Sequence, residues 1–258
     1  TSSSGPSLGP VLRALQGRRT PFDFDVVSFR WNLNKFMTTP YCKEEWTMQV
    51  HRIHRTLFLG ARPGADTFTD AHAERCSRWG YVFERLCTKA GATGGSVDDE
   101  FCGVFSLSLN GLSLCLGAEL DSYDSESQHP LNAHRPPVPI DAGPLDADRF
   151  VEVKTHKELL ADRDIHSFYR HKALKVFVQS FLVGVPHILV GHRRPDGTVT
   201  SAMPVKTTDL TKGDGADWHF LTCFAFTSRL LEWLRASTDH NQRYELSFQA
   251  PFTHVTLR

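Results

Sequence analysis

Apolar positions along this chain switch between helical and alternating periods, and the switches mark its elements. Residues 8–16, LGPVLRALQ, predict a short amphipathic helix. Residues 22–41 begin extended in FDFDVVSF, turn helical near Arg30 and stop before Pro40, because the residue preceding a proline disfavours the helical conformation. Residues 46–61, WTMQVHRIHRTLFLGA, alternate and predict one strand closed by Gly60. Its Arg52 and Arg55 read as a solvated edge or as a face toward nucleic acid. Residues 70–88 predict a helix whose buried stripe is Cys76, Trp79, Phe83, Leu86 and Cys87. Gly80 falls in its middle, where glycine costs about 1 kcal/mol relative to alanine, so a close approach to the backbone is expected there.

The sharpest local pattern lies at 101–121. Asn110-Gly111 is a preferred two-residue hairpin turn. Beyond it Leu112, Leu114, Leu116, Ala118 and Leu120 share one face, and Ser113, Cys115, Gly117, Glu119 and Asp121 the other. The small residues ahead of the two acids suggest a partly enclosed cleft wall, with a solvated outer face as the alternative. FVEVKT, 150–155, is a further strand, with Phe150, Glu152 and Lys154 outward and Val151, Val153 and Thr155 inward. Residues 167–184 predict a helix with an apolar stripe of Arg170, Leu174, Phe177, Val178 and Phe181 and a second stripe of Phe168, Lys172, Lys175 and Gln179. VPHILVGH and TVTSAM form a hairpin across RRPDG. A helix near 218–236 and the strands YELSFQ and THVTLR close the chain. The glycine-rich 89–100 lacks the lysine and Ser/Thr ending of a phosphate-binding loop and reads as a linker. Residues 122–149 read as a long proline-rich loop, a length uncommon without a function. There is no internal repeat. The expected fold is α/β or α+β: a mixed β-sheet core flanked by helices, in a single domain over 1–258 with 1–10 as a flexible leader.

A chain of 258 residues can bury roughly three quarters of its unfolded surface. Lys plus Arg equals Asp plus Glu at 29 each, so no global basic field marks a nucleic-acid binder, although a channel needs only a local cluster. The six cysteines form no CxxC pair and read as reduced, buried thiols of an intracellular protein. No apolar run is long enough to span a membrane, so no membrane partner is expected, nor is a secretory signal. The thirteen histidines show no HExxH spacing and no GxSxG occurs, which disfavours a zinc hydrolase or a serine nucleophile.

The charged residues of the two strands supply the chemistry. Glu119 with Asp121, and Glu152 with Lys154, each share a strand face. Three carboxylates and an amine are costly to bury unless they bind a metal or one another. Hard divalent cations prefer carboxylate and carbonyl oxygens, so Glu119, Asp121, Glu152 and the Val153 carbonyl suit two Mg2+ or Mn2+ ions and phosphodiester hydrolysis. Lys154 then orients or deprotonates a water, or contacts the phosphate. An acid, a spacer and Glu-x-Lys is the PD-(D/E)XK nuclease arrangement. Glu84, four residues after Gly80, is either a surface glutamate or a further site residue. Gln179, set among Phe177, Val178 and Phe181, is either a satisfied structural amide or aimed at a water or phosphate.

VVSFRWNLNK, GYVFE, GAELD, FVEVKT, SFYRHKALKVFVQSFLVGVP and the downstream PDG together resemble the eukaryotic DXO/Rai family of decapping exoribonucleases, over roughly 8–258. The resemblance implies a PD-(D/E)XK-like core and a pocket for RNA 5′ ends: capped, NAD-capped, triphosphate or monophosphate. It implies removal of incomplete or noncanonical caps, with 5′→3′ exonucleolysis variable between members. By motif it assigns Arg30 to substrate, Glu84, Glu119, Asp121, Glu152 and the Val153 main-chain oxygen to metals, and Lys154 and Gln179 to the scissile phosphate or water. Nucleus and cytoplasm are both compatible. Some relatives chiefly bind and stabilise a larger 5′→3′ exoribonuclease, the competing expectation. The chain departs from the pattern in a shorter N-terminal region, a short 204–217 and a long 122–149.

Overall fold

The computed structural model describes residues 8–16, 19–61, 71–88, 101–126, 145–213 and 215–258. Residues 1–7 of the expected leader, the 89–100 linker and residues 127–144 of the long loop lie outside them. In chain order the elements are α1 (Gly9–Leu15), β1 (Val26–Phe29), α2 (Arg30–Thr38), β2 (Trp46–Ile53), β3 (Thr56–Ala61), α3 (Ala71–Cys87), β4 (Cys102–Leu109) and β5 (Leu112–Glu119). There follow β6 (Ser122–Tyr123), β7 (Phe150–Lys157), α4 (Asp162–Phe168), α5 (Leu174–Phe181), β8 (His187–Arg193), β9 (Val199–Lys206), α6 (Phe220–Ser237), β10 (Arg243–Phe248) and β11 (Val255–Leu257). The chain divides into two compact units, one of Thr1–Thr67, Cys102–Ala118 and Trp218–Arg258, the other of Phe68–Phe101 and Glu119–Asp217. The mixed-sheet expectation holds, in two sheets.

The first unit holds a seven-stranded sheet in the order β11-β10-β2-β3-β1-β5-β4. Interior to it, β1 is parallel to both β3 and β5 and is buried along its whole length, Ser28 included. Val26, Leu57, Leu59, Met48, Val50, Leu114, Leu116 and Leu246 bury one face, and α2 lies against β1 and β3 and packs on α6. On the other face Val27, Phe29 and Cys115 pack with Val11 and Leu15 of α1 and with Phe24. A Cβ on Gly117 would stand 2.5 Å from Val11 Cγ2. This overturns the cleft-wall reading of Ser113-Cys115-Gly117: those small residues make room for α1. The single strand expected over 46–61 is two antiparallel strands turning at His54-Arg55. The turn lacks Gly, Pro or Asn, and His54 takes the left-handed conformation at φ 52°, so no residue announced it. Gly60 is the penultimate residue of β3.

The second unit holds a four-stranded sheet in the order β6-β7-β8-β9, with β7 and β8 parallel and the other pairs antiparallel. Register and alternation put Val151, Val153, Gly191 and Arg193 on one face and Glu152, Lys154, His156, Val190 and His192 on the other. The first face takes α3. Phe83 seats on Gly191, where a Cβ would lie 2.7 Å from the ring, and the Arg193 guanidinium stacks 4.5 Å from the Trp79 ring centroid. The predicted stripe of α3 therefore ends at Phe83. Leu86 is 79% exposed and Cys87 is exposed too. Of the cysteines expected to be buried only Cys115 and Cys223 are, though all six are free thiols. Nothing described approaches Gly80 closely, against the expectation. The helix predicted at 167–184 starts earlier, at Asp162, and carries a π turn at Tyr169–Ala173 between α4 and α5. Arg170, inside that turn, and Phe181, the last residue of α5, are exposed, and Leu174, Phe177 and Val178 form the buried stripe.

Candidate active site

The β7 face bearing Glu152 is not an outward one, because α5 reaches it through Gln179. Glu152 is 1% exposed. A carboxylate that deep needs a cation and hydrogen-bond donors. Lys154, two residues on and on the same face, places Nζ 2.6 Å from Glu152 Oε1. Gln179 of α5 donates from Nε2 to the same oxygen. The glutamine that stood out among aromatic residues in the sequence thus has its amide satisfied by the buried acid.

Asp121 completes the group. Lys154 Nζ lies 3.0 Å from its Oδ2, and the Val153 N–H donates to that same atom at 2.8 Å. The corner that carries Asp121 is fixed on both sides. The Leu120 N–H donates to the Phe101 carbonyl at 3.0 Å, and the next two residues, β6, pair with Val151 and Phe150. Because β6 is only two residues long, the edge of β7 at Val153 is left to Asp121 instead of a strand partner. The N–H and C=O of one strand residue lie along the same edge, so the Val153 carbonyl opens on the side where Asp121 stands.

The resulting chain of contacts runs from the Val153 N–H to Asp121, Lys154, Glu152 and Gln179. Burial by itself pulls the Lys154 ammonium down, but Glu152 and then Asp121 outweigh it and hold its pKa above the ordinary lysine value. The amine is therefore a cation clamped between two carboxylates.

The other expected site residues lie on different elements. Glu119 ends β5 and is exposed. Glu84 is half-buried on α3, next to Phe83, whose ring packs on the opposite sheet face. Among the described residues, no three His, Cys, Asp or Glu side chains converge as a metal-holding group. Arg30 belongs to the first unit, where it opens α2 and is buried. The fit to a divalent cation rests on the donor set. Two carboxylates and a main-chain carbonyl are hard oxygen donors of the kind Mg2+ and Mn2+ take, and they already face a shared positive charge.

One residue escaped the sequence reading. Arg149, directly ahead of β7, is buried, and its Nη1 donates to the Asp124 carbonyl at 3.1 Å while the Asp124 N–H donates to the Arg149 carbonyl at 3.0 Å. It ties the outgoing end of β6 to the start of β7 and so helps hold Asp121 against Lys154. An arginine before an apolar strand ordinarily reads as a surface residue, and nothing in its spacing says otherwise.

Comparison with known proteins bears on this geometry. The chain is 31% identical to the human decapping and exoribonuclease protein over 232 residues, covering 82% of this chain and 54% of that protein. It is 26% identical to the decapping nuclease RAI1 of Neurospora crassa over 247 residues, covering 83% of this chain and 56% of that one. It thus spans about half the length of these relatives. Among solved structures, Scheffersomyces stipitis Rai1 superposes with a TM-score of 0.79 at 18% identity, over 98% of this chain and 74% of that one. Candida albicans Rai1 in complex with pU5-Mn2+ follows at 0.77 and 17%, over 98% and 75%. At such identities these likenesses establish the fold. A family model described as RAI1 like PD-(D/E)XK nuclease matches residues 3–258, nearly the whole sequence. With the human relative above 30% identity, the Glu-x-Lys strand and its aspartate partner sit in a chain that belongs to the RAI1-like PD-(D/E)XK nuclease family.

Proposed function

We propose that this chain is the core of a divalent-cation-dependent RNA 5′-end hydrolase. It removes incomplete or noncanonical caps, NAD-type ends included, or 5′-triphosphate ends, and degrades the exposed strand 5′→3′. The observation that carries the proposal is the buried Glu152, shared by Lys154 and Gln179 beside Asp121, on the Glu-x-Lys strand of a PD-(D/E)XK family member. The names of the relatives support it, as do the complexes of S. stipitis Rai1 with (3'-NADP)+ and calcium ion and of C. albicans Rai1 with pU5-Mn2+.

In this reading Asp121, Glu152, the Val153 carbonyl, Glu119 and Glu84 hold the cations, and Arg30 contacts substrate. When bound, such ions make an acidic water and neutralise charge on the phosphate. Lys154, which the two carboxylates hold as a cation in the metal-free chain, offers a charged hydrogen bond to a phosphate oxygen or water. Gln179 fixes the Glu152 carboxylate and offers its amide to the same water or phosphate. The interior position of Glu152 limits water around these groups and strengthens each contact. An intracellular setting, nuclear or cytoplasmic, and a larger 5′→3′ exoribonuclease partner belong to the same proposal.

The test is one RNA body carrying a 5′-monophosphate, triphosphate, NAD or unmethylated cap, incubated with Mg2+ or Mn2+ and resolved into dinucleotide, pyrophosphate and mononucleotide products. Turnover of at least one end supports the proposal. Turnover of none, with tight capture of an exoribonuclease, replaces it by the stabilising-partner reading. Among the described residues no helix is long and apolar enough to cross a membrane.

A further inference from the structure

The sheet face that bears Glu152 and Lys154 continues past the acids into a pair of histidines. His156 is the next residue on that face of β7, and it pairs in register with His192 of β8, which pairs in turn with Ser201 of β9. Both imidazoles are half-buried and held. The His156 ring meets Phe168 edge-on at 4.7 Å, and its Nδ1 sits 2.8 Å from the Lys157 carbonyl. His192 Nδ1 lies 3.4 Å from Ser201 Oγ.

The helix above is pinned at both ends of this line. Phe168 lies on His156, and Gln179 lies on Glu152. Eleven helical residues rise about 16 Å and four strand steps about 13 Å, so helix and strand run alongside one another between those anchors. Lys172 and Lys175 fall between them, and Lys172 bears electrostatically on His156. The nearby acids are engaged, Asp164 with Lys157 at 2.8 Å and Glu158 with Thr200 at 2.6 Å.

We propose that His156, His192 and Lys172 bind the phosphodiester backbone of the RNA strand leading away from the scissile bond. This rests on the hydrolase reading of the neighbouring acids. The helix supplies a mobile ammonium and the sheet two held imidazoles, His156 giving its Nδ1–H to the Lys157 carbonyl and reaching a phosphate through Nε2 only as the protonated ring, a combination that tracks a backbone without reading bases.

Binding of a 3′-fluorescein 20-nucleotide RNA, followed by anisotropy in EDTA so that no cleavage intervenes, tests it. Lys172→Ala is expected to weaken binding several-fold and to lower the slope of log affinity against log salt by about 1. Lys172→Glu weakens it further, and His156→Gln with His192→Gln adds to the loss. Lys172 is exposed, so its variants keep the parent melting temperature. RNA affinity and salt slope equal to the parent in Lys172→Glu and in the double histidine variant would overturn the proposal. A parent that binds RNA through these residues yet cleaves no 5′ end with Mn2+ would sink the hydrolase reading and leave this one standing.

Discussion

Glu152 keeps its carboxylate 1% exposed with the Lys154 ammonium 2.6 Å from its Oε1. Removing the amine while leaving the acid strands a buried charge. Lys154 is itself 31% exposed, so solvent relieves part of the loss. Lys154→Met is expected to lower unfolding free energy by about 1–3 kcal/mol, read as a shift of the urea midpoint at constant slope. Glu152→Gln keeps the shape and removes the charge, so it should stay within about 1 kcal/mol of the parent. A Lys154→Met midpoint equal to the parent would mean the ion pair does not hold the strand face.

The packing of α3 makes a separate prediction. Gly191→Ala drives a methyl against the Phe83 ring, and overpacking of this kind costs about 1–3 kcal/mol. Phe83→Leu opens the same space, so the double variant should lose less than the sum of the two single ones. A double-mutant cycle by urea denaturation measures this coupling, and simple additivity would remove α3 from that face.

His156 gives a pH dependence of known sign. Burial first, and then Lys172, His192 and Lys157, hold its pKa below the ordinary value, opposed by the Lys157 carbonyl. The folded state therefore favours the neutral ring. Its contribution is fully present above the unfolded value near 6.5 and is lost as pH falls below it, because the unfolded chain then binds the extra proton. Between pH 7.5 and 5 the parent should lose more stability than His156→Gln, and parallel curves would contradict the assignment.

The thiols divide by environment. Burial pushes Cys115 and Cys223 up to about 11, and both lie inside the first unit. Alkylation of the native protein at pH 8 should reach the exposed Cys87 first and leave Cys115 and Cys223 unlabelled until urea unfolds the chain. Peptide mapping distinguishes the three, and early labelling of Cys115 would mean α1 does not cover β5.

The elements written in strong periods were legible. The Asn110-Gly111 hairpin, FVEVKT, the RRPDG hairpin and the closing helix and strands all stand where the pattern put them. So was the heart of the site, since strand parity alone joined Glu152 to Lys154. What escaped depended on neighbours distant in sequence. The His54 turn rests on one left-handed histidine, and Gly117 is small because α1 crosses it. Gln179 reaches Glu152 from a helix that follows the π turn, and Arg149 is buried only because β6 returns beside it. Parity assigned a face to FVEVKT but could not say that helices cover both sides.

The most direct measurement is the rate at which the parent and Glu152→Gln release products from 5′-triphosphate and NAD-capped RNA at saturating Mn2+. Both proteins are first confirmed as folded by their urea midpoints. On the proposed reading Glu152 holds a cation, and removing its charge should slow release by about 100-fold or more, the scale of losing one electrostatic contact to a developing charge. Release by Glu152→Gln at the parent rate would show that the Asp121–Lys154–Glu152–Gln179 group is a structural ion pair and that the chemistry lies elsewhere.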